Sequence, residues 1–366
     1  MRVAIVSAYA LSVFGGVQEQ SLAMSRELTR RGHDVLIVAP DGHDRARYDT
    51  PAHVARFGVV LKIPANGSRA PLTLSPAASR HAARTVAHFR PDVVHFHEPF
   101  APLIGWGVLR AHDAAAVATF HRGGGGPALT LTKPLLRRLA TQLDESAAVS
   151  ESAAATIHAA CGLEPVVLFN GFEIDRFAAT PRERGEVTTL VVLGRHEERK
   201  GVAHAINAVR AHNAKGEDTW QLVVVGDGPQ RRVLESLAAG DPAIVFVGAA
   251  GDEEKRRWLR RANALIAPST GAESFGMVVL EGMASETSVV ASDIDGYREA
   301  AAGLATMFTP GDDTSLEAAI ERALRDETPE SIARARAHAS EWSIAALMDR
   351  YEALYARARE RFSATR

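Results

Sequence analysis

"RVAIVSAYALSVFGGVQEQSLAMSRELTRRGHDVLIVAP", residues 2–40, decides the fold. Its two apolar ends, "RVAIVSA" (2–8) and "DVLIVAP" (34–40), have the length of strands and the composition of strands buried on both faces. Between them Val17, Leu22, Met24 and Leu28 fall roughly on one helical face, and Gly32 stops that helix. Strand, crossover helix and second strand make a βαβ unit, the element of a doubly wound parallel sheet. "DVVHFH" (92–97) and "AAVATFH" (115–121) extend it. The alternation then restarts with "PVVLFNG" (165–171), "TTLVVLG" (188–194), "WQLVVVGDG" (220–228), "AIVFVG" (243–248), "ANALIAPS" (262–269) and "SVVASDI" (288–294). The expected fold class is α/β, with two Rossmann-like doubly wound domains facing a central cleft. The predicted domains are 1–168 and 169–346, followed by a polar helix over 347–362.

The totals agree with two domains, because 366 residues are many for one hydrophobic core. With 46% hydrophobic and 23% charged residues, the composition is that of a soluble globular protein. The single cysteine, Cys161, excludes an internal disulfide and a cysteine-based zinc site, and it fits a reducing compartment. Gly15 and Gly16 break the N-terminal apolar run, which reads as a first strand and not a signal peptide. No stretch of about 18 apolar residues is present to span a membrane. Residues 1–168 carry 17 Lys+Arg against 13 Asp+Glu, and the remainder 25 against 31. A basic half joined to an acidic one suits an anionic partner for the first half, and suits an ordinary solvated surface as well.

Ligands of such sheets bind beyond the carboxyl ends of the strands, and the unusual polar residues lie there. In "STGAESFGMVVLEGMASET" (269–287), Glu273 sits in a small turn and Glu281 inside an apolar helical run. Eight residues at helical rise separate them by about 12 Å, roughly the span from ribose to sugar in a folded nucleotide-sugar. A helix start beside Ser274, Phe275 and Gly276 also favours anions. The spacing leaves equally open that Glu273 only caps the helix and Glu281 pairs with a buried arginine. "LGRHEERKG" (193–201) brackets a loop with Arg195 and Lys200, which suits a diphosphate or a solvated charged loop. "SVFGGVQEQ" (12–20) lets the backbone at Gly15 and Gly16 approach a phosphate or sugar, but lacks the GxGxxG dinucleotide pattern. "VVGDGPQR" (224–231) reads by default as a tight turn. His121, at a strand end, suits a sugar hydroxyl, a reacting group or a structural role. His95 and His97 share a strand face, with structural or ligand-lining roles favoured over a metal pair. Arg80, Arg84 and His88 form one stripe of the helix in "SPAASRHAARTVAHFRP" (75–91), able to face anionic lipid or simply water.

Taken together, Glu273 and Glu281, "GGVQ" (15–18), "HFHEP" (95–99), "TFH" (119–121), "NGFEIDRF" (170–177), "LGR…RKG" (193–201) and "GDGP" (226–229) resemble the retaining GT-B glycosyltransferases of family 4. Within that family the set is most similar to the actinobacterial phosphatidylinositol mannosyltransferases, whose "GESFG" corresponds to "AESFG" here. The resemblance implies a nucleotide-sugar donor, GDP-mannose, and a lipid-linked or inositol-type acceptor at the cytosolic face of the cell membrane. It implies that Arg195 and Lys200 meet the diphosphate. Glu273 with the Ser274–Gly276 segment would meet the hexose, Glu281 the ribose, Lys255 the guanine, and Gly16 the β-phosphate or sugar. His121 falls at the reacting centre, Tyr9, Gln18 and Arg122 on the acceptor side, and Arg80 and Arg84 at the membrane. The terminal segment 347–366 would return to the first domain. No resident cofactor, metal site or nucleic-acid partner is expected, and neither metal dependence nor oligomeric state is set. The pattern departs after His121: the lipid-acceptor enzymes have hydroxyl residues and then a lysine, whereas Arg122 and Gly123–Gly126 stand here, with the next lysine at Lys133.

Two other readings compete. A different family 4 transferase would use a UDP- or GDP-linked hexose or N-acetylhexosamine on a soluble or glycolipid acceptor. A nicotinamide dehydrogenase or a non-catalytic nucleotide-binding protein would share the Rossmann halves. The first of these lacks its glycine fingerprint here, and the second leaves the full set of polar groups without a purpose.

Overall fold

The computed structural model describes residues 1–366 except 13–14, 42–49, 66–67, 102, 122, 124–126, 179–182, 217, 272, 274 and 366. Two compact units emerge, Met1–Phe172 with Ile344–Arg366, and Glu173–Ser343.

The first unit contains β1 (Arg2–Ser7), α1 (Gly16–Arg30), β2 (Asp34–Asp41), β3 (His53–Val59), β4 (Leu61–Ala65), β5 (Ser68–Leu72), α2 (Pro76–Phe89), β6 (Val93–His97), α3 (Ile104–Ala111), β7 (Ala115–Phe120), α4 (Pro127–Ala140), β8 (Glu145–Ala148), α5 (Glu151–Cys161) and β9 (Val166–Val167). Its parallel sheet runs β3-β2-β1-β6-β7-β8-β9, and β4 and β5 form a separate antiparallel pair. The stretch read as opening the second half is corrected here: only Val166–Val167 of "PVVLFNG" is a strand, and it closes the first sheet against β8. The face α1 buries is also more polar than its periodicity implies, for Gln18, Gln20, Ser21 and Ser25 are buried beside Met24 and Leu28, while Val17 and Leu22 are half-buried.

The second unit contains α6 (Ile174–Ala178), β10 (Thr188–Leu193), a 3₁₀ turn (Glu198–Lys200), α7 (Val202–Asn213), β11 (Trp220–Val225), α8 (Arg231–Ala238), β12 (Ile244–Gly248), α9 (Asp252–Arg261), β13 (Ala264–Ala267), α10 (Met277–Ala284), β14 (Ser288–Ser292), α11 (Asp295–Ala301), β15 (Thr306–Phe308), α12 (Asp313–Arg325) and α13 (Pro329–Ser340). Its sheet, β12-β11-β10-β13-β14-β15, is parallel throughout and has the doubly wound 3-2-1-4-5-6 order.

The last helix, α14 (Ile344–Ala364), packs in the first unit. Its Leu347, Met348, Tyr351, Leu354, Tyr355 and Ala358 join Val3, Ile5, Met24 and Leu28 in one core. Arg31 fixes its outer side, with Nη1 2.7 Å from both Asp349 and Glu352. Among the described residues, no helix is long and apolar enough to cross a membrane.

Candidate active site

In each sheet the chain leaves the central strand in opposite directions on its two sides, between β1 and β6 and between β10 and β13. The carboxyl ends of those strands are where a doubly wound sheet opens a crevice.

In the second unit the loops after β10 and β13 are pressed together. Gly201 has φ +64°, and a Cβ there would overlap the Pro268 carbonyl oxygen. The Thr270 N–H donates to the Arg199 carbonyl at 2.8 Å. This contact carries two cations onto Glu273: Arg199 Nη1 lies 3.0 Å from Oε1, and Lys200 Nζ bonds the same oxygen. Ser269 Oγ adds a 3.3 Å bond and is itself 2.8 Å from the buried Tyr297 hydroxyl. On its other side Arg199 reaches Glu197 at 3.0 Å, and Arg195 Nη1 lies 3.1 Å from the same carboxylate. Arg195, Glu197, Arg199, Glu273 and Lys200 thus form one continuous row, with three cations for two anions. Among these five side chains the cations outnumber the anions by one at a loop end, which suits an anionic ligand.

Glu281 is buried in α10, and Lys255 Nζ from α9 meets it at 3.0 Å. That ammonium also stands 5.7 Å from the centre of the Phe177 ring. The purely structural alternative left by the spacing does not form as stated, although Glu281 does pair with a cation. The N-cap of α10 is Gly276, in the left-handed region and with no side-chain cap, and the partner of Glu281 is a lysine instead of an arginine. Phe275 is buried with its ring 4.8 Å from that of Trp342, so its side chain belongs to the core. "GDGP" has a packing explanation, since a Cβ on Gly226 would overlap the Gly194 carbonyl, and one on Gly228 would crowd the His196 backbone.

In the first unit His121 follows β7. Its Nε2 is 2.9 Å from His97 Nδ1, and its N–H donates to Glu98 at 2.5 Å. His97 stacks on His95 with ring centres 4.6 Å apart. Both nitrogens of His95 are engaged at 2.7 Å, one by the Tyr355 hydroxyl of α14 and one by Thr119, which in turn meets the Tyr351 hydroxyl at 2.8 Å. The pair is therefore structural in His95 and leaves no nitrogen there for a metal. Gln18 is buried, with Nε2 3.3 Å from the Ala10 carbonyl, and Tyr9 is half-buried next to Ser7. Gly16 opens α1 with no heavy atom within 4 Å of where a Cβ would lie. Arg80 and Arg84 are exposed on α2, while Arg122 and Ser274 lie outside the described residues.

Residue patterns alone did not single out Arg199, the Ser269–Tyr297 support or the tyrosines behind His95. For Arg199 the signal was the "RKG" doublet. The others depend on contacts far apart in sequence.

Burial holds the histidine cluster neutral. His95 and His121 are pushed down to about 3, and His97 also falls well below the usual imidazole value. The unfolded chain takes up protons below about pH 6.5 and the folded one does not, so stability is complete above that pH and is lost as pH falls toward 3. Urea unfolding should show lower stability at pH 5.0 than at pH 7.5, by about 2 kcal/mol for each of His95 and His121, and His97→Asn should flatten the slope. Equal midpoints at the two pH values would mean that the cluster is charged when folded.

Residues 14–176 match the family model described as Glycosyltransferase Family 4, and residues 187–326 match Glycosyl transferases group 1. The chain belongs to glycosyltransferase family 4. This glycosyltransferase is 35% identical over 96% of its length to the phosphatidyl-myo-inositol mannosyltransferase of Mycolicibacterium smegmatis, covering 94% of that protein. It is 31% identical over its whole length to the enzyme of the same name from Propionibacterium freudenreichii, covering 97% of it. Among solved structures, Anabaena HepE in complex with UDP and glucose superposes with a TM-score of 0.71 at 18% identity, covering 96% of this chain and 98% of that one. The glycosyltransferase has the GT-B fold, and it is a hexosyltransferase by family.

Proposed function

We propose that this glycosyltransferase moves mannose from GDP-mannose, with retention of configuration, to a phosphatidylinositol-like acceptor. The observation that carries the reading is the match, over nearly the whole chain, to lipid mannosyltransferases of that name. The row of charges around Glu273 supports it chemically. Arg195 and Lys200 take up the charge of the diphosphate as the anomeric bond breaks, work that needs fixed cations at the leaving oxygen. Glu273 orients the hexose beside the backbone of Phe275 and Gly276. The acceptor hydroxyl attacks the face from which the diphosphate departs, and the departing phosphate oxygen accepts its proton. Glu281 grips the ribose hydroxyls and Lys255 turns to the guanine, so nucleoside binding parts their mutual ion pair. His121 lies at the sugar, with Gly16 allowing close approach. Tyr9, Gln18 and Arg122 belong to the acceptor side. Arg80 and Arg84 rest on anionic headgroups, which makes the enzyme peripheral at the inner membrane face.

One observation favours a second reading. The glycines after His121 offer no hydroxyl or lysine for an inositol phosphate, which suits a soluble acceptor. The test pairs GDP-mannose, UDP-glucose and UDP-N-acetylglucosamine with phosphatidylinositol vesicles, plain vesicles and free inositol, and identifies products by mass spectrometry and anomeric NMR. An α-mannosyl phosphatidylinositol is expected. Product only from a UDP-sugar, or only on a soluble acceptor, overturns the donor or the acceptor assignment respectively. In the same assay Glu281→Gln should raise the KM for the donor about tenfold or more. An unchanged KM would leave Glu281 a purely structural partner of Lys255.

A further inference from the structure

At the far end of α7 from Gly201, three ligand-type atoms converge on one point. His212 Nδ1, from α7, is 3.6 Å from Glu317 Oε1 and 3.7 Å from Glu321 Oε1, the two glutamates standing one turn apart on α12. His212 is buried, its side chain only 7% exposed, and its ring lies flat on Trp220 with centres 3.4 Å apart, so it cannot turn away. Its other nitrogen, Nε2, is 2.7 Å from Asp218. In the neutral tautomer whose Nε2–H donates to Asp218, Nδ1 is a bare lone pair. Metal-binding histidines are oriented by this same arrangement of an outer carboxylate. Nδ1 has no hydrogen-bond partner among the described residues. In that tautomer Nδ1 and the two carboxylate oxygens are three acceptors facing one another, with Lys215 Nζ reaching only Glu317, and a cation between the three relieves the arrangement.

We infer that His212, Glu317 and Glu321 bind a divalent transition-metal ion that clasps the C-terminal end of α7 to α12. One imidazole nitrogen, two carboxylate oxygens and water give the mixed donor set that zinc and manganese accept. The separations are near those of ligands sharing one such ion. Lys215 Nζ, 2.7 Å from Glu317 Oε1, competes for the same oxygen, and its half-exposed side chain has water to move into. The site takes no part in sugar transfer. It braces the interface in which Ala205, Ile206, Ala208 and Val209 of α7 pack near Leu316, Ala319 and Ile320 of α12.

The experiment is calorimetric titration of untagged, chelator-stripped protein with Zn²⁺ and with Mn²⁺, alongside thermal melts. One equivalent of at least one ion should bind, with a rise in melting temperature. Glu321→Gln, at a side chain 46% exposed and therefore harmless to folding, should abolish that binding. Asp218→Asn should weaken it about tenfold or more, and Lys215→Met should tighten it. Turnover of GDP-mannose should be the same in Glu321→Gln as in the parent. Absence of stoichiometric binding overturns the inference, and so does binding of equal strength in the parent and Glu321→Gln, which would put the ion elsewhere.

Discussion

Lys200→Ala is expected to lower turnover of the nucleotide-sugar about a hundredfold or more, with a smaller effect on donor KM. In the proposed reaction the ammonium would contribute most when the diphosphate leaves, because charge on the bridging oxygen grows as the anomeric bond lengthens. An interaction stronger in the transition state than in the ground state appears in kcat. Lys200 and Arg199 both hold Glu273, so the alanine variant still keeps that carboxylate placed through Arg199. Loss of rate can then be assigned to the leaving group and not to a displaced hexose-binding acid. Lys200→Arg should recover part of the rate, since it restores charge without the same point of contact. Arg195→Ala should give a loss of the same order. Steady-state kinetics with GDP-mannose distinguish these outcomes. Turnover within about threefold of the parent in both alanine variants would remove the two cations from the reacting centre.

The parallel sheets were legible because their central strands are continuous runs of valine, leucine and isoleucine with one helix between successive strands. Where a strand lacked that signature it could not be read. β8 is "ESAA", four residues without a large apolar side chain, yet fully buried because it lies between β7 and β9. "PVVLFNG" has the signature but forms only a two-residue strand, and its side of the chain is decided by pairing with β8, a long-range contact that no local pattern encodes. In the site, the two glutamates and the loop cations stand out because charge inside an apolar or glycine-rich run is costly without a partner. Their pairings are a different matter. Lys255 and Glu281 are 26 residues apart and Lys200 and Glu273 are 73 apart, so tertiary packing sets which acid meets which base, through the ladder of β10 against β13 for Lys200 and through the placement of α9 beside α10 for Lys255. The histidine cluster illustrates the same point, because a tyrosine 260 residues away takes the nitrogen of His95 that a metal would have needed.

Gly201→Ala should be a severely damaging single methyl in the second unit's site. Gly201 sits at φ +64°, where an added Cβ costs about 1 kcal/mol by itself. The new methyl would also overlap the Pro268 carbonyl oxygen, which is backbone and cannot rotate out of the way. The two loops must separate, for a combined loss of stability of about 3 kcal/mol. Separation also breaks the registration of Arg199 and Lys200 over Glu273, since all three depend on the same loop contact. A displacement on the order of 1 Å at a reacting group can cost about a hundredfold in rate. Gly240→Ala supplies the control: its φ is +74°, but nothing lies within 4 Å of the added Cβ. That variant should lose only the backbone part, about 1 kcal/mol, and keep its turnover. Urea midpoints and kcat measured on both variants separate local strain from loop registration. If Gly201→Ala matched Gly240→Ala in stability and retained its rate, the contact between the loops after β10 and β13 would not be what positions the cations.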